Sequence, residues 1–250
     1  MPLSRLIILA VAFFITSVIS VVTGSTSLIT VPVMIEFGIE PHVAVATNMM
    51  ALIFMSVGGS LPFARKGVLD RRILPLSVVL TLIGSVIGAA LLLHAPVKTL
   101  QLTIAIAMIA VAVFSLMKKD SSAGEHVVSN TRKGVGYLGT FVLAIYGGFF
   151  SGGYVTMLTA VFVLLFGLTF LQAVATTKVI NVFSSAVATL IFAYHGVVDY
   201  RLGVILGTMM FLGAVVGGQV ALRLPAVWLR RVFIAAVIAL AVKMLFTLLR

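Results

Sequence analysis

The chain has 250 residues, 62% of them hydrophobic and only 9% charged, with a mean hydropathy of +1.27. A water-soluble domain of this length would have to place much of that apolar side chain on its surface, so the composition excludes one and calls for lipid as solvent. The net charge of +11 sits mainly in loops between apolar stretches, which is the positive-inside pattern rather than a nucleic-acid surface, and the absence of cysteine excludes disulfides and thiolate metal sites.

Met1 to Arg5 lead into an apolar run without a small-residue cleavage site, so no removable signal peptide is expected. Residues 5–37 form one long apolar stretch, broken at Thr23-Gly24-Ser25-Thr26-Ser27. Full spans of about 20 residues are expected near 42–64, 73–93 and 98–117. A polar stretch over 118–133 reads as a solvated loop. Residues 135–168 are again apolar, broken at Ser151-Gly152-Gly153-Tyr154, and spans follow near 170–194, 202–222 and 228–249. Segment 28–37 covers only about 15 Å of a ~30 Å hydrocarbon core. Each broken stretch is therefore a re-entrant hairpin or a pair of tilted, interrupted helices, and either form returns the chain to its starting side.

The two runs of elements are copies. At an offset of 129 residues, Ala44-Val45-Ala46-Thr47 falls on Ala173-Val174-Ala175-Thr176, and positions 44–72 hold 13 identities in 29 without a gap. These include Gly67, Asp70 and Arg72 on Gly196, Asp199 and Arg201. The register extends to Gly24 on Gly153, Gly38 on Gly167, and Gly84 and Gly88 on Gly213 and Gly217. Shared apolar composition multiplies matches of Leu, Val and Ala, but it does not align Gly, Asp and Arg. The expected architecture is an all-α polytopic transmembrane bundle of two repeats, 1–120 and 134–250, joined by a cytoplasmic linker at 121–133.

If each half crosses the membrane an odd net number of times, the second half is inverted. Placing the 65–72 loop inside puts 118–133 and 223–231 inside too, and these loops hold 11 of the 17 basic residues. The matched loops 65–72 and 195–201 carry net charges of +3 and 0, as oppositely facing copies should. The same basic loops can meet anionic lipid headgroups.

In transporters built of inverted repeats, substrate binds where paired interrupted helices meet near the midplane. Here the pair is Gly24, Ser25 and Thr26 in one half and Ser151, Gly152, Gly153 and Tyr154 in the other. Glycine lets a ligand approach the backbone, and N–H groups at a half-helix N-terminus attract an anion. Ser27, Thr156 and Thr159 add hydroxyl donors. The same small residues equally serve close helix packing, which is the reading for Gly84, Gly88, Gly213, Gly217 and Gly218.

Lys178 lies inside a span with Thr177 and Asn181, and its counterpart is Met49, beside Thr47 and Asn48. A lysine at a helix centre costs about 2.5–3.5 kcal/mol on insertion scales, which a bound anion would offset. Snorkelling to the nearby cytoplasmic end is the competing account. All six acidic residues and all four histidines lie near segment ends or in loops, so no mid-span carboxylate, metal site or cofactor site is expected. No nucleophile with a base suggests an intramembrane enzyme. A channel or carrier for another anion, a non-transporting membrane subunit and a homodimeric state remain open.

The run from Ala173 to Asn181, followed by Phe192-Ala193-Tyr194-His195-Gly196-Val197-Val198-Asp199, resembles the sulfite exporter TauE/SafE family, as does the first-half copy with Gly24 and Pro32. The sequence departs from that family in its reduced N-terminal glycine run and in Val161, which replaces the second-half proline. The resemblance implies a multi-pass permease of the bacterial inner membrane, for sulfur-containing anions such as sulfite, sulfoacetate or related organosulfonates.

Overall fold

The computed structural model describes residues 2–65, 69–117, 128–221 and 238. Among these, the regular structure is entirely helical: α1 (Leu3–Thr23), α2 (Ser27–Glu36), α3 (Pro41–Arg65), α4 (Leu74–His94), α5 (Val97–Met117), α6 (Asn130–Phe149), α7 (Tyr154–Phe166), α8 (Phe170–Tyr194) and α9 (Tyr200–Ala221). Segments of α1, α3, α4, α8 and α9 are long and apolar enough to cross a membrane. The expected span at 228–249 and most of the 118–133 stretch lie outside the described residues.

Local chemistry sets the helix ends. Pro41 opens α3, where its missing N–H costs nothing. Thr169 caps α8 in a reciprocal box: its hydroxyl accepts from the Gln172 N–H at 3.3 Å, and its own N–H donates to Gln172 Oε1 at 2.9 Å. The helix α6 begins five residues before the apolar stretch, because Ser129 caps it and a polar first turn can be helical without being buried. In that turn Arg132 reaches back to donate to the Leu164 carbonyl at 3.0 Å, near the C-terminus of α7. Between α2 and α3, Glu40 accepts from His42 (2.8 Å) and from the Val43 N–H (3.0 Å), while His42 Nε2 meets the Ala95 carbonyl at 2.9 Å. Burial opposes ionisation of Glu40, but these hydrogen bonds outweigh it and hold the carboxyl below the usual glutamate range.

The duplication is visible in the backbone. Gly24 and Gly153 both adopt left-handed conformations, with φ of 82° and 83°, Gly24 at the end of α1 shortly before the short helix α2 and Gly153 directly before the short helix α7. The helices α3 and α8 occupy equivalent positions over the same 25 residues.

Packing partners are exchanged between the halves. The helix α1 packs on α9, and its counterpart α6 packs on α4. Glycines make both contacts close: a Cβ on Gly217 would lie 2.5 Å from the Val18 carbonyl oxygen, and one on Gly88 would lie 1.9 Å from that of Ile145. The expected packing role of Gly84, Gly88, Gly213 and Gly217 is what the structure shows.

Contact order along the chain gives helix direction. Gly203 meets Met50, Gly207 meets Phe54, and Phe211 meets Gly58, so α9 runs parallel to α3. Phe14 and Val18 meet Gly213 and Gly217, so α1 runs the same way. Two helices of the first half thus point in one direction with only the 10-residue α2 between them, and the α1–α2 pair returns the chain. In contrast, α8 contacts α3 through Asn181 with Ser56 at one end and Asp199 with Thr47 at the other, so these matched helices are antiparallel. Antiparallel matched helices are what an inverted second half predicts.

Candidate functional site

The short helices α2 and α7 meet by their N-termini, and small hydroxyl residues close the seam. Ser25 Oγ and Thr156 Oγ1 are 2.5 Å apart, and Ser27 Oγ and Ser151 Oγ are 2.6 Å apart. Asn48 of α3 joins the same network, donating to Ser27 Oγ at 2.8 Å and accepting from Thr30 at 2.7 Å. Thr26 donates to the Met55 thioether at 3.1 Å, and the Tyr146 hydroxyl donates to the Gly152 carbonyl. Apart from Tyr146, the polar side chains of this network are buried, yet none is charged.

Helix geometry supplies the electrostatics. First-turn N–H groups have no acceptor within their own helix, and each N-terminus carries roughly half a positive charge. Two such ends converge here. Gly24 and Gly153 make the convergence possible, because only glycine takes a positive φ at so crowded a position without strain. A Cβ on Gly24 would lie 3.1 Å from Thr156 Oγ1, one on Gly153 2.2 Å from Val111 Cγ2, and one on Gly152 2.3 Å from the Phe150 ring.

A second flank comes from α8. Thr177 Oγ1 lies 3.3 Å from Thr159 of α7, and Asn181 donates to Ser56 of α3 at 2.6 Å, while Asn181 Oδ1 has no partner. Lys178 is 3% exposed and lies on the face of α8 that carries Asn181. Its stem passes Gly59, with Cδ 3.7 Å from the Cβ position there, and Ala214 of α9 is close by. Among the described residues no carboxylate pairs with it; the salt bridge they contain is His42 with Glu40. No group of metal-ligating His, Asp or Glu forms among them either.

The structure therefore brings together Gly24, Ser25, Thr26, Asn48, Ser151, Gly152 and Gly153 at the seam; Thr177 and Asn181 join α8 to α7 and α3, while the Lys178 stem lies against Gly59 of α3. Two of the sequence-derived candidates point elsewhere. Thr47 accepts from the Asp199 backbone N–H at 3.0 Å and ties α3 to the turn before α9. Tyr154, fully buried, lies over Gly147 and carries its hydroxyl toward Thr81 and Ser184. Sequence reasoning did not single out Thr30, Ser56 or Tyr146. The repeat alone held a signal for two of them, since Thr30 falls on Thr159 and Ser56 on Ser185.

A family model for the sulfite exporter TauE/SafE proteins matches residues 8–244. The chain belongs to that family. It is thus a helical membrane protein of a transporter family. Among TauE/SafE relatives, the probable membrane transporter protein ORF9 of a Sinorhizobium species is 30% identical over 242 residues, covering 95% of this chain and 91% of that protein. The probable membrane transporter protein YfcA of Escherichia coli K12 is 24% identical over 245 residues, covering 96% and 90%. A probable membrane transporter protein of Haemophilus influenzae is 23% identical over 242 residues, covering 96% and 95%. No solved structure matches the chain.

Proposed function

We propose that this TauE/SafE protein exports a small sulfur-containing oxyanion, such as sulfite, sulfoacetate or a related organosulfonate, across the bacterial inner membrane. One observation carries the reading. Two half-helix N-termini converge, the helix α8 that packs on one of them carries a buried lysine, and among the described residues no carboxylate balances that charge. A site with this field favours an anion and disfavours a cation.

Direction follows from energetics. An inside-negative potential of ~100 mV contributes about 2.3 kcal/mol to the exit of a monovalent anion. At 1.36 kcal/mol per decade this sustains a gradient of roughly 50-fold. Export can run without a coupling ion, whereas uptake would need coupled cations to overcome the same term.

Purified protein in liposomes should show saturable counterflow of sulfoacetate, driven outward by an inside-negative potential. Lys178→Met should weaken anion binding by about tenfold or more, equivalent to ~1.4 kcal/mol. Its thermal stability in detergent should hold or rise, because the variant no longer buries a charge. Binding unchanged in Lys178→Met would remove the lysine from the site. Uptake strictly dependent on sodium would overturn export.

A further inference from the structure

Away from the seam, one face of α4 carries Ser77, Thr81 and Ser85 at four-residue spacing, all with 0% exposure. The Ser85 hydroxyl lies 2.7 Å from that of Ser184 on α8. The Tyr154 hydroxyl, from the first residue of α7, sits beside Thr81 and Ser184 without a well-formed bond to either. The hydroxyls of Ser77, Thr81 and Tyr154 all lack a hydrogen-bond partner. A buried hydroxyl left unpaired is costly, so a row of them needs a use.

Helix adhesion is the plain alternative, and the duplication provides an internal control. At the offset of 129, Ser77, Thr81, Ser85 and Ser184 fall on Leu206, Met210, Ala214 and Met55. Those positions are buried in the same way yet carry no hydroxyl. The matched packing therefore forms without the hydroxyls. The row also has direction. It starts one turn into α4, just after exposed Arg71 and Arg72, and leads to Tyr154 at the N-terminus of α7, next to the seam. Basic residues at a mouth concentrate anions, and hydroxyls along a wall can replace water around an oxyanion during passage.

We propose that Ser77, Thr81, Ser85, Ser184 and Tyr154 line the lane by which the anion moves between the seam and the side of the membrane that bears Arg71 and Arg72. In the present conformation this lane is closed. The proposal rests on the anion reading above, but its test separates the two.

The chain has no cysteine, so single cysteines can be read without background. In vesicles of both orientations, Ser77→Cys, Thr81→Cys and Ser85→Cys are exposed to a membrane-impermeant anionic methanethiosulfonate, beside Leu206→Cys, Met210→Cys and Ala214→Cys. Arg72→Cys marks the side. The α4 cysteines should react from the Arg72 side, on the order of tenfold faster than their matched positions, since thiol reactivity follows access. Sulfoacetate should slow them. Absence of reaction at all three while Arg72→Cys reacts would overturn the lane, as would equal reaction at the matched positions. Reaction that no anion slows would overturn it as a path for anions. Protection by phosphate or acetate but not by sulfoacetate would keep the lane and overturn the sulfur-anion reading instead.

Discussion

Gly24, Gly38 and Gly153 share one backbone conformation, with φ of 82°, 84° and 83°, in three different surroundings. Alanine at any of them incurs left-handed strain of about 1 kcal/mol or more. At Gly38 nothing lies within 4 Å of a new Cβ, so strain is the whole cost. At Gly24 the Cβ would press on Thr156 and Val155 at 3.1–3.3 Å, and at Gly153 it would overlap Val111 Cγ2 at 2.2 Å. Thermal unfolding in detergent should rank the losses Gly153→Ala, then Gly24→Ala, then Gly38→Ala, and a larger loss at Gly38 would contradict this geometry. Gly24, Gly153 and Lys178 stand out in the sequence, because a glycine inside an apolar run and a lysine inside a span are each expensive without a reason. The fates of Thr47 and Tyr154 could not be read. One is set by a backbone donor 152 residues away, and the other by where α4 and α8 pack.

Individual helices were more legible than side-chain destinations. Apolar length and the Gly-Ser-Thr breaks placed α2, α3 and α8 within a residue or so of their observed ends. Asn130, Arg132 and Lys133 carry no hydrophobic signal for the start of α6, although Ser129 is a recognisable cap. Glycines within helices divide the same way. Gly88 touches the α6 backbone, whereas Gly134 has nothing within 4 Å of its Cβ position. Gly88→Ala should therefore separate α4 from α6 and cost about 2 kcal/mol or more as an overpacked contact. Gly134→Ala should be neutral or stabilise by about 0.5–1 kcal/mol through helix propensity. Denaturation of the purified variants measures both, and a destabilised Gly134→Ala would refute this account of α6.

For the molecule as a whole, the antiparallel crossing of α3 and α8 makes a topological prediction. Arg72, in the turn after α3, and its match Arg201, in the first turn of α9 after α8, should therefore lie toward opposite faces of the membrane. In the cysteine-free chain, Arg72→Cys and Arg201→Cys should be labelled by an impermeant reagent from opposite sides, with Arg72 inside by the positive-inside pattern. Labelling from one side would exclude inverted halves. The exchange of partners, α1 on α9 and α6 on α4, also means that the first helix of each half packs mainly on the other half. The halves are interlocked units of one bundle, and the hydroxyl seam lies between them.

Membrane residence, duplication, the paired breaks and the asymmetric lysine follow from residue order alone. Each is a one-dimensional property: the cost of apolar surface in water, a repeated register, a glycine interrupting a helix, a charge placed within lipid reach. The tertiary structure decided which hydroxyls meet across the seam, that Thr47 and Tyr154 turn elsewhere, and that Ser77, Thr81, Ser85 and Ser184 form a row with apolar counterparts. Those facts depend on helix direction and rotation between segments far apart in the chain. In lipid these are set by close glycine contacts and interhelical hydrogen bonds, since hydrophobicity alone does not distinguish one apolar neighbour from another.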